Sequence, residues 1–111
     1  MENNITQTTE YFKALCDPTR LKIFRILASN PERKLCVGAI AHKLGVTQPA
    51  VSQHLKVLKN AGLINPNREG YRVHYAINTD TLVHFRSSVE ELCSLALDKY
   101  PCNDKCQEQG E

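Results

Sequence analysis

The stretch from Thr47 to Ile64 constrains this chain more than any other. Val51, Leu55 and Leu58 fall at i, i+4 and i+7 and so share one face of a helix. Gln48, Ser52, Gln53, Lys56 and Lys59 are left largely outside. Thr47 can offer its hydroxyl to the free N–H groups of the first turn, and Pro49 costs little that early. Gly62 is placed to stop the helix as a left-handed cap. Beyond it the period falls to two: Leu63-Ile64 begins an extended segment, and Tyr71, Val73, Tyr75 and Ile77 alternate with Arg72, His74, Ala76 and Asn78. Asn67-Arg68-Glu69-Gly70 offers the turn of a half-buried hairpin. A short helix that hands over to a hairpin must bury its apolar stripe on neighbouring helices and keep a cationic side in water.

Those neighbours precede it. Ile5 to Cys16 reads as a first helix, with Thr6 as its cap and Tyr11, Phe12 and Leu15 on its apolar side. Asp17 can cap a second helix that tolerates Pro18, and Leu21, Phe24 and Ala28 with Ile23 and Leu27 give it a broad buried stripe before Asn30-Pro31-Glu32-Arg33 stops it. Cys36 to Leu44 is a third, shorter helix, and Gly45-Val46 turns the chain into the fourth. From Asp80 to Lys99 a helical period returns, with Leu82, Phe85, Val89, Leu92 and Ala96 at 3-4-3-4 spacing. On so small a body such a seam is expected to bury part of itself against a second copy. The order is that of a mainly α (α+β) winged helix-turn-helix: an N-terminal helix, a two-stranded wing and a long C-terminal dimerisation helix. Residues 1–111 are expected to form a single winged-helix domain, with 100–111 expected as a flexible, cysteine-containing tail.

The net charge of +2 is too weak to imply nucleic acid by itself, but its distribution is informative. From Lys43 to Tyr75 the cations Lys43, Lys56, Lys59, Arg68 and Arg72 face the single acid Glu69, a local patch suited to a polyanion. In a major groove, Gln48, Ser52 and Gln53 could meet base edges, and a glutamine amide can meet adenine at two atoms. Lys56 and Lys59 would hold phosphates, Thr47 and the free N–H groups at the helix start could receive another, and Arg68 and Arg72 would extend the contact. His54 could reach a phosphate, touch a base or sit at the flank of the helix. Two copies on a two-fold axis would set their recognition helices roughly 34 Å apart and call for an inverted-repeat operator on double-stranded DNA.

Phe12 to Ile23, Leu35 to Ala41, Val46 to Leu58, Gly62-Leu63-Ile64 and the Arg68-to-Tyr75 wing resemble the arsenic-repressor (ArsR/SmtB) family of winged-helix regulators, over roughly Tyr11 to Leu97. The resemblance implies a homodimeric transcriptional repressor released from DNA by a soft metal, arsenite or thiol oxidation. It weakens at the inducer sites. Where many metal-sensing members carry Cys-Val-Cys, this chain has Cys36, Val37 and Gly38. Where others bind zinc between terminal helices, it has Thr79, Thr81, Leu92 and Leu95.

Five cysteines, an odd number, with no signal peptide at the start, suit a cytoplasmic protein with mostly free thiols. Cys102 and Cys106 stand four positions apart, and Cys93 near the end of the last helix could supply a third sulfur. Three thiolates would take arsenite or a thiophilic metal ion as inducer, or could serve as a redox switch. Cys16 and Cys36 read as buried small hydrophobes rather than ligands. No apolar run approaches a membrane span. No glycine-rich phosphate loop, spaced carboxylate pair or His-Glu-x-x-His run suggests an enzyme. The rival to a DNA reader is a winged-helix protein-interaction module without inducer sensing or direct DNA readout, which the basic face disfavours.

Overall fold

The computed structural model describes residues 2–99. It contains α1 (Glu2–Leu15), α2 (Pro18–Ser29), α3 (Val37–Leu44), α4 (Gln48–Asn60), β1 (Ile64–Glu69), β2 (Arg72–Ile77) and α5 (Thr79–Lys99). The 100–111 tail, with Cys102 and Cys106, lies outside the described residues. Ile23 of α2, Ile40 of α3 and Val51, Leu55 and Leu58 of α4 are fully buried together with Leu63 and Ile64. The expected apolar stripe of α4 is therefore the centre of the core.

Local chemistry sets the ends of these helices. Asp17 is extended at the N-cap of α2 and accepts from the Arg20 N–H at 3.0 Å, with Pro18 in the first turn. Thr47 caps α4 by accepting from the Ala50 N–H at 3.3 Å. At the other end of α4, the Gly62 N–H donates to the Lys59 carbonyl at 2.9 Å and the Leu63 N–H to the Leu58 carbonyl at 3.0 Å. Gly62 adopts φ +83°, and the pair of bonds is a Schellman closure sealed by contact between buried Leu58 and Leu63. A helix end and a strand start thus share one apolar contact.

Four expectations are corrected. Leu21 and Ala28, expected in the buried stripe of α2, are exposed, because the helix turns the Ile23 and Leu27 face to the core. Helix α1 begins at Glu2, so Thr6 lies inside it rather than capping it. Helix α3 begins at Val37 with Cys36 as its N-cap, and the thiol makes no capping bond. The hairpin turn is later than Asn67–Gly70: the ladder runs from Ile64↔Ile77 to Glu69↔Arg72 and leaves only Gly70 and Tyr71 in the loop. Gly70 takes φ +63° while Tyr71 does not go positive, as a two-residue hairpin loop with glycine first requires. Pairing Ile64 with Ile77 on the core side fixes this register, since a slip of one residue would turn both away. Tyr71 therefore leaves the apolar alternation for the tip of the wing, where it is 93% exposed.

Asn78 joins the hairpin to α5. Its N–H donates to the Leu63 carbonyl at 2.9 Å, and its Oδ1 accepts from the Thr81 N–H at 3.3 Å as a helix cap. Only the first half of α5 packs on the body. Phe85 meets Tyr11 and Phe12 edge-on at centroid distances of 5.4 and 5.2 Å, and Leu82 and Val89 are half-buried. From Leu92 to Lys99 every residue is exposed. The radius of gyration is 18.0 Å, against about 13 Å for a compact chain of 100 residues, because α5 projects.

Leu58→Ala should destabilise the fold by about 2–5 kcal/mol in chemical denaturation. Lys56→Ala, on the exposed side of the same helix, should change it by no more than about 0.5 kcal/mol.

Candidate nucleic-acid interface

With Val51, Leu55 and Leu58 turned inward, Ser52, Gln53, Lys56 and Lys59 are all exposed on the far side of α4. Helix α4 carries no acidic residue, so nothing on it offsets the two lysines. Among the described residues neither Lys56, Lys59, Arg68 nor Arg72 forms an ion pair. Four cations are thus left available to an anionic partner. Gln48 is exposed at the start of α4, with its amide nitrogen over Gly38 of α3, 3.4 Å from where a Cβ would stand. The hydroxyl of Thr47 is engaged with the backbone of its own helix.

His54 sits at the flank, half-buried against the start of α2. Arg20 donates through Nε to the Ala14 carbonyl at 2.5 Å and contacts His54 Nδ1 through Nη1 at 3.4 Å. A guanidinium only donates, so this contact is a hydrogen bond only in the tautomer that leaves Nδ1 without a proton. Asp17 Oδ2 lies 3.9 Å from the same Nδ1, ready to pair with a protonated ring. The Arg20 N–H holds the Asp17 carboxyl below its usual range, against the effect of burial and with help from the charges of His54 and Arg20. The cluster ties α1, α2 and α4 together beside the exposed face of α4. Sequence reading found Asp17 as a cap but missed Arg20, because nothing local marks a contact spanning 34 positions.

The wing is tied down as well. The Tyr75 N–H donates to the Leu35 carbonyl at 3.0 Å, adding a one-residue third strand. Glu69 Oε1 lies 2.6 Å from Lys34 Nζ and 3.6 Å from His74 Nδ1. The Lys34 hydrogen bond and charge hold its carboxyl below the usual range. The single acid of the basic stretch is therefore spent on positioning the hairpin, and Arg68 and Arg72 remain exposed on it.

The thiols are more scattered. Cys16, Cys36 and Cys93 are free and exposed, which corrects the burial expected for the first two: Cys16 follows the last residue of α1 and Cys36 precedes α3, outside the packed faces of both helices. Among the described residues no group of three or more His, Cys, Asp or Glu could hold a metal ion. Of the proposed thiol trio only Cys93 is described. Of the expected dimer seam, Leu82, Phe85 and Val89 are half-buried on their own chain, whereas Leu92 and Ala96 are exposed.

Residues 17–66, from the α2 cap to β1, match the profile described as "Bacterial regulatory protein, arsR family". An uncharacterized HTH-type transcriptional regulator of Methanocaldococcus jannaschii is 40% identical over 86 residues, covering 78% of this chain and 94% of that protein. The chain belongs to the arsR family of bacterial regulatory proteins. Members of this family are transcriptional regulators, not enzymes, and the fold is a winged helix-turn-helix. The transcriptional repressor SdpR of Bacillus subtilis is 38% identical over 71 residues, which are 64% of this chain and 76% of that one. The homodimeric winged helix-turn-helix DNA-binding domain of a possible ArsR-family regulator from Mycobacterium bovis superposes with a TM-score of 0.64 at 28% identity, covering 89% of both chains. Regulators named for arsenic and cadmium resistance are also among the relatives. No described helix is long and apolar enough to cross a membrane.

A carboxyl whose folded pKa is depressed contributes stability above its unfolded pKa, here near 3.8 for Asp17, and loses it as pH falls through the folded value. The melting-temperature advantage of the parent over Asp17→Asn should therefore be largest near neutrality and shrink between about pH 5 and pH 3. Calorimetric melts of both proteins across that window check it.

Proposed function

We propose that this chain is a cytoplasmic, homodimeric, sequence-specific DNA-binding repressor that reads an inverted-repeat operator through α4 and the wing. The observation that carries the reading is the acid-free, exposed face of α4 beside a fixed hairpin bearing Arg68 and Arg72. In the proposed complex Ser52, Gln53 and Gln48 meet base edges, with Gln53 the main source of sequence preference. Lys56 and Lys59 hold phosphates beyond them, and Thr47 with the first-turn N–H groups receives another. Arg68 and Arg72 take the backbone or minor groove next to the α4 site. His54 is proposed to steady α4 through the contact of its Nδ1 with Arg20, leaving Nε2 for a phosphate.

The dimer is proposed along α5, where Leu82, Phe85, Val89, Leu92 and Ala96 form the seam. Its support is the projection of Leu92, Leu95 and Leu97 into water, each more than half exposed. Apolar surface of that kind on a small body is better buried against a second copy. Repression would follow from occlusion of a promoter.

Release is proposed to act through thiols. Cys93 stands on α5 and Cys102 and Cys106 follow it, so arsenite, a thiophilic metal ion or oxidation there would bear directly on the dimer helix. Rotation of one protomer against the other would take the two recognition helices out of successive grooves.

Operator fragments from the region upstream of the gene should bind with an affinity that falls steeply with salt. Gln53→Ala should cost about 1–3 kcal/mol and relax base preference, whereas Lys56→Ala should weaken all sequences alike and reduce the salt slope by about 1 per protomer. Binding without salt dependence, or untouched by both changes, would overturn the DNA reading. Arsenite, cadmium or diamide should lower operator affinity in the parent but not in a Cys93, Cys102 and Cys106 triple serine variant. An equal response in both proteins removes the thiol mechanism and leaves the DNA reading intact.

A further inference from the structure

A cavity of about 380 Å³ opens between the end of α2, the loop after it, β2 and the first turn of α5. Phe24, Leu27, Tyr75 and Leu82 contribute its apolar walls, and Arg33 is the one charged residue on its lining. None of the residues proposed to touch DNA lines it. The volume falls at the lower end of the roughly 300–1,000 Å³ typical of small-molecule sites, which combine apolar walls with a few convergent polar groups.

The placement of Arg33 is built rather than incidental. Asn30 donates its side-chain amide to the Ile26 carbonyl at 2.7 Å, and its own carbonyl accepts the Arg33 N–H at 3.2 Å. That turn fixes the backbone of Arg33, a residue of the cavity lining. Among the described residues no carboxylate pairs with Arg33, although Lys34 next to it has Glu69. An unpaired guanidinium beside an apolar chamber repels cations and gains nothing from a neutral hydrocarbon. Its planar fork matches a carboxylate at two atoms.

We propose that this cavity binds a small organic acid, with an aromatic or short aliphatic body against Phe24, Leu27, Tyr75 and Leu82 and the carboxylate on Arg33. The site goes beyond the thiol-based reading of release and does not depend on it. Its occupant would touch the wing through β2 and the projecting helix through the start of α5.

The test is an amide-resolved NMR titration of the full chain, without DNA, using phenylacetate and its uncharged analogue phenylacetamide. Phenylacetate should give saturable shifts centred on Leu27, Asn30, Ala76 and Thr79, with phenylacetamide at least about tenfold weaker. Arg33→Gln should bring the acid down to the level of the amide. Ala28→Trp, which fills the cavity from the exposed side of α2, should abolish both responses while the spectrum stays dispersed. The proposal fails if neither compound gives saturable shifts, if the shifts centre elsewhere, or if the acid keeps its advantage in Arg33→Gln. Since no DNA is present, loss of operator binding and loss of this site are read separately.

Discussion

Burial of one stripe of α4 governs the rest of this molecule. Val51, Leu55 and Leu58 go to zero or near-zero exposure among Ile23, Ile40, Leu63 and Ile64. Each such side chain stabilises the fold by about 1.5–3 kcal/mol on leaving water, so the helix has one rotational setting. That setting turns Ser52, Gln53, Lys56 and Lys59 outward as its consequence. The same stripe reaches past the helix end: the Leu58–Leu63 contact closes the Schellman turn and starts β1. A change in the core of α4 is therefore also a change in the direction of the wing.

Polar ties refine what the core sets. Arg20 links the end of α1 to the flank of α4 through His54, and Asp17 stands by as a second partner for the same ring nitrogen. At the wing, Glu69 meets Lys34 while Leu35 pairs with Tyr75. These contacts are exposed or half-buried and individually modest. Their effect is orientational, since they restrain parts of the reading surface that the apolar core alone would leave free to pivot. A basic stretch with one acid in it has that acid employed in restraint.

Helix α5 belongs to two environments. Its first half completes the core through the edge-on contacts of Phe85 with Tyr11 and Phe12, and its second half leaves the body altogether. Seam residues spaced evenly in the sequence are thus unequal in space. Leu82, Phe85 and Val89 lie partly against their own chain, while Leu92 and Ala96 stand fully exposed. A homodimer would need the outer half most. The cavity beside Arg33 lies at the packed end of this helix, where α2, β2 and the first turn of α5 converge.

Much of the fold was legible in the sequence because it is written in short-range signals. Asp17 before Pro18, Thr47 before Pro49, Gly62 after Asn60 and the change from helical to two-residue period each act within a few positions, so element order, the caps of α2 and α4 and the outward face of α4 followed from local chemistry. The family membership followed too, since the residues from Asp17 to Ile64 that build the helix-turn-helix are the ones that carry the resemblance. What the sequence could not decide was whatever depends on partners far along the chain. The hairpin turn moved to Gly70-Tyr71 because the core fixes Ile64 opposite Ile77. His54 became a tie to α2 because Arg20 folds back beside it. Leu35 joined the wing, and Arg33 came to the edge of a cavity, because the loop after α2 passes β2. Local propensity acts over one turn of helix or one strand pair; register, flank contacts and cavities exist only once distant segments have packed, and tertiary structure alone decided them.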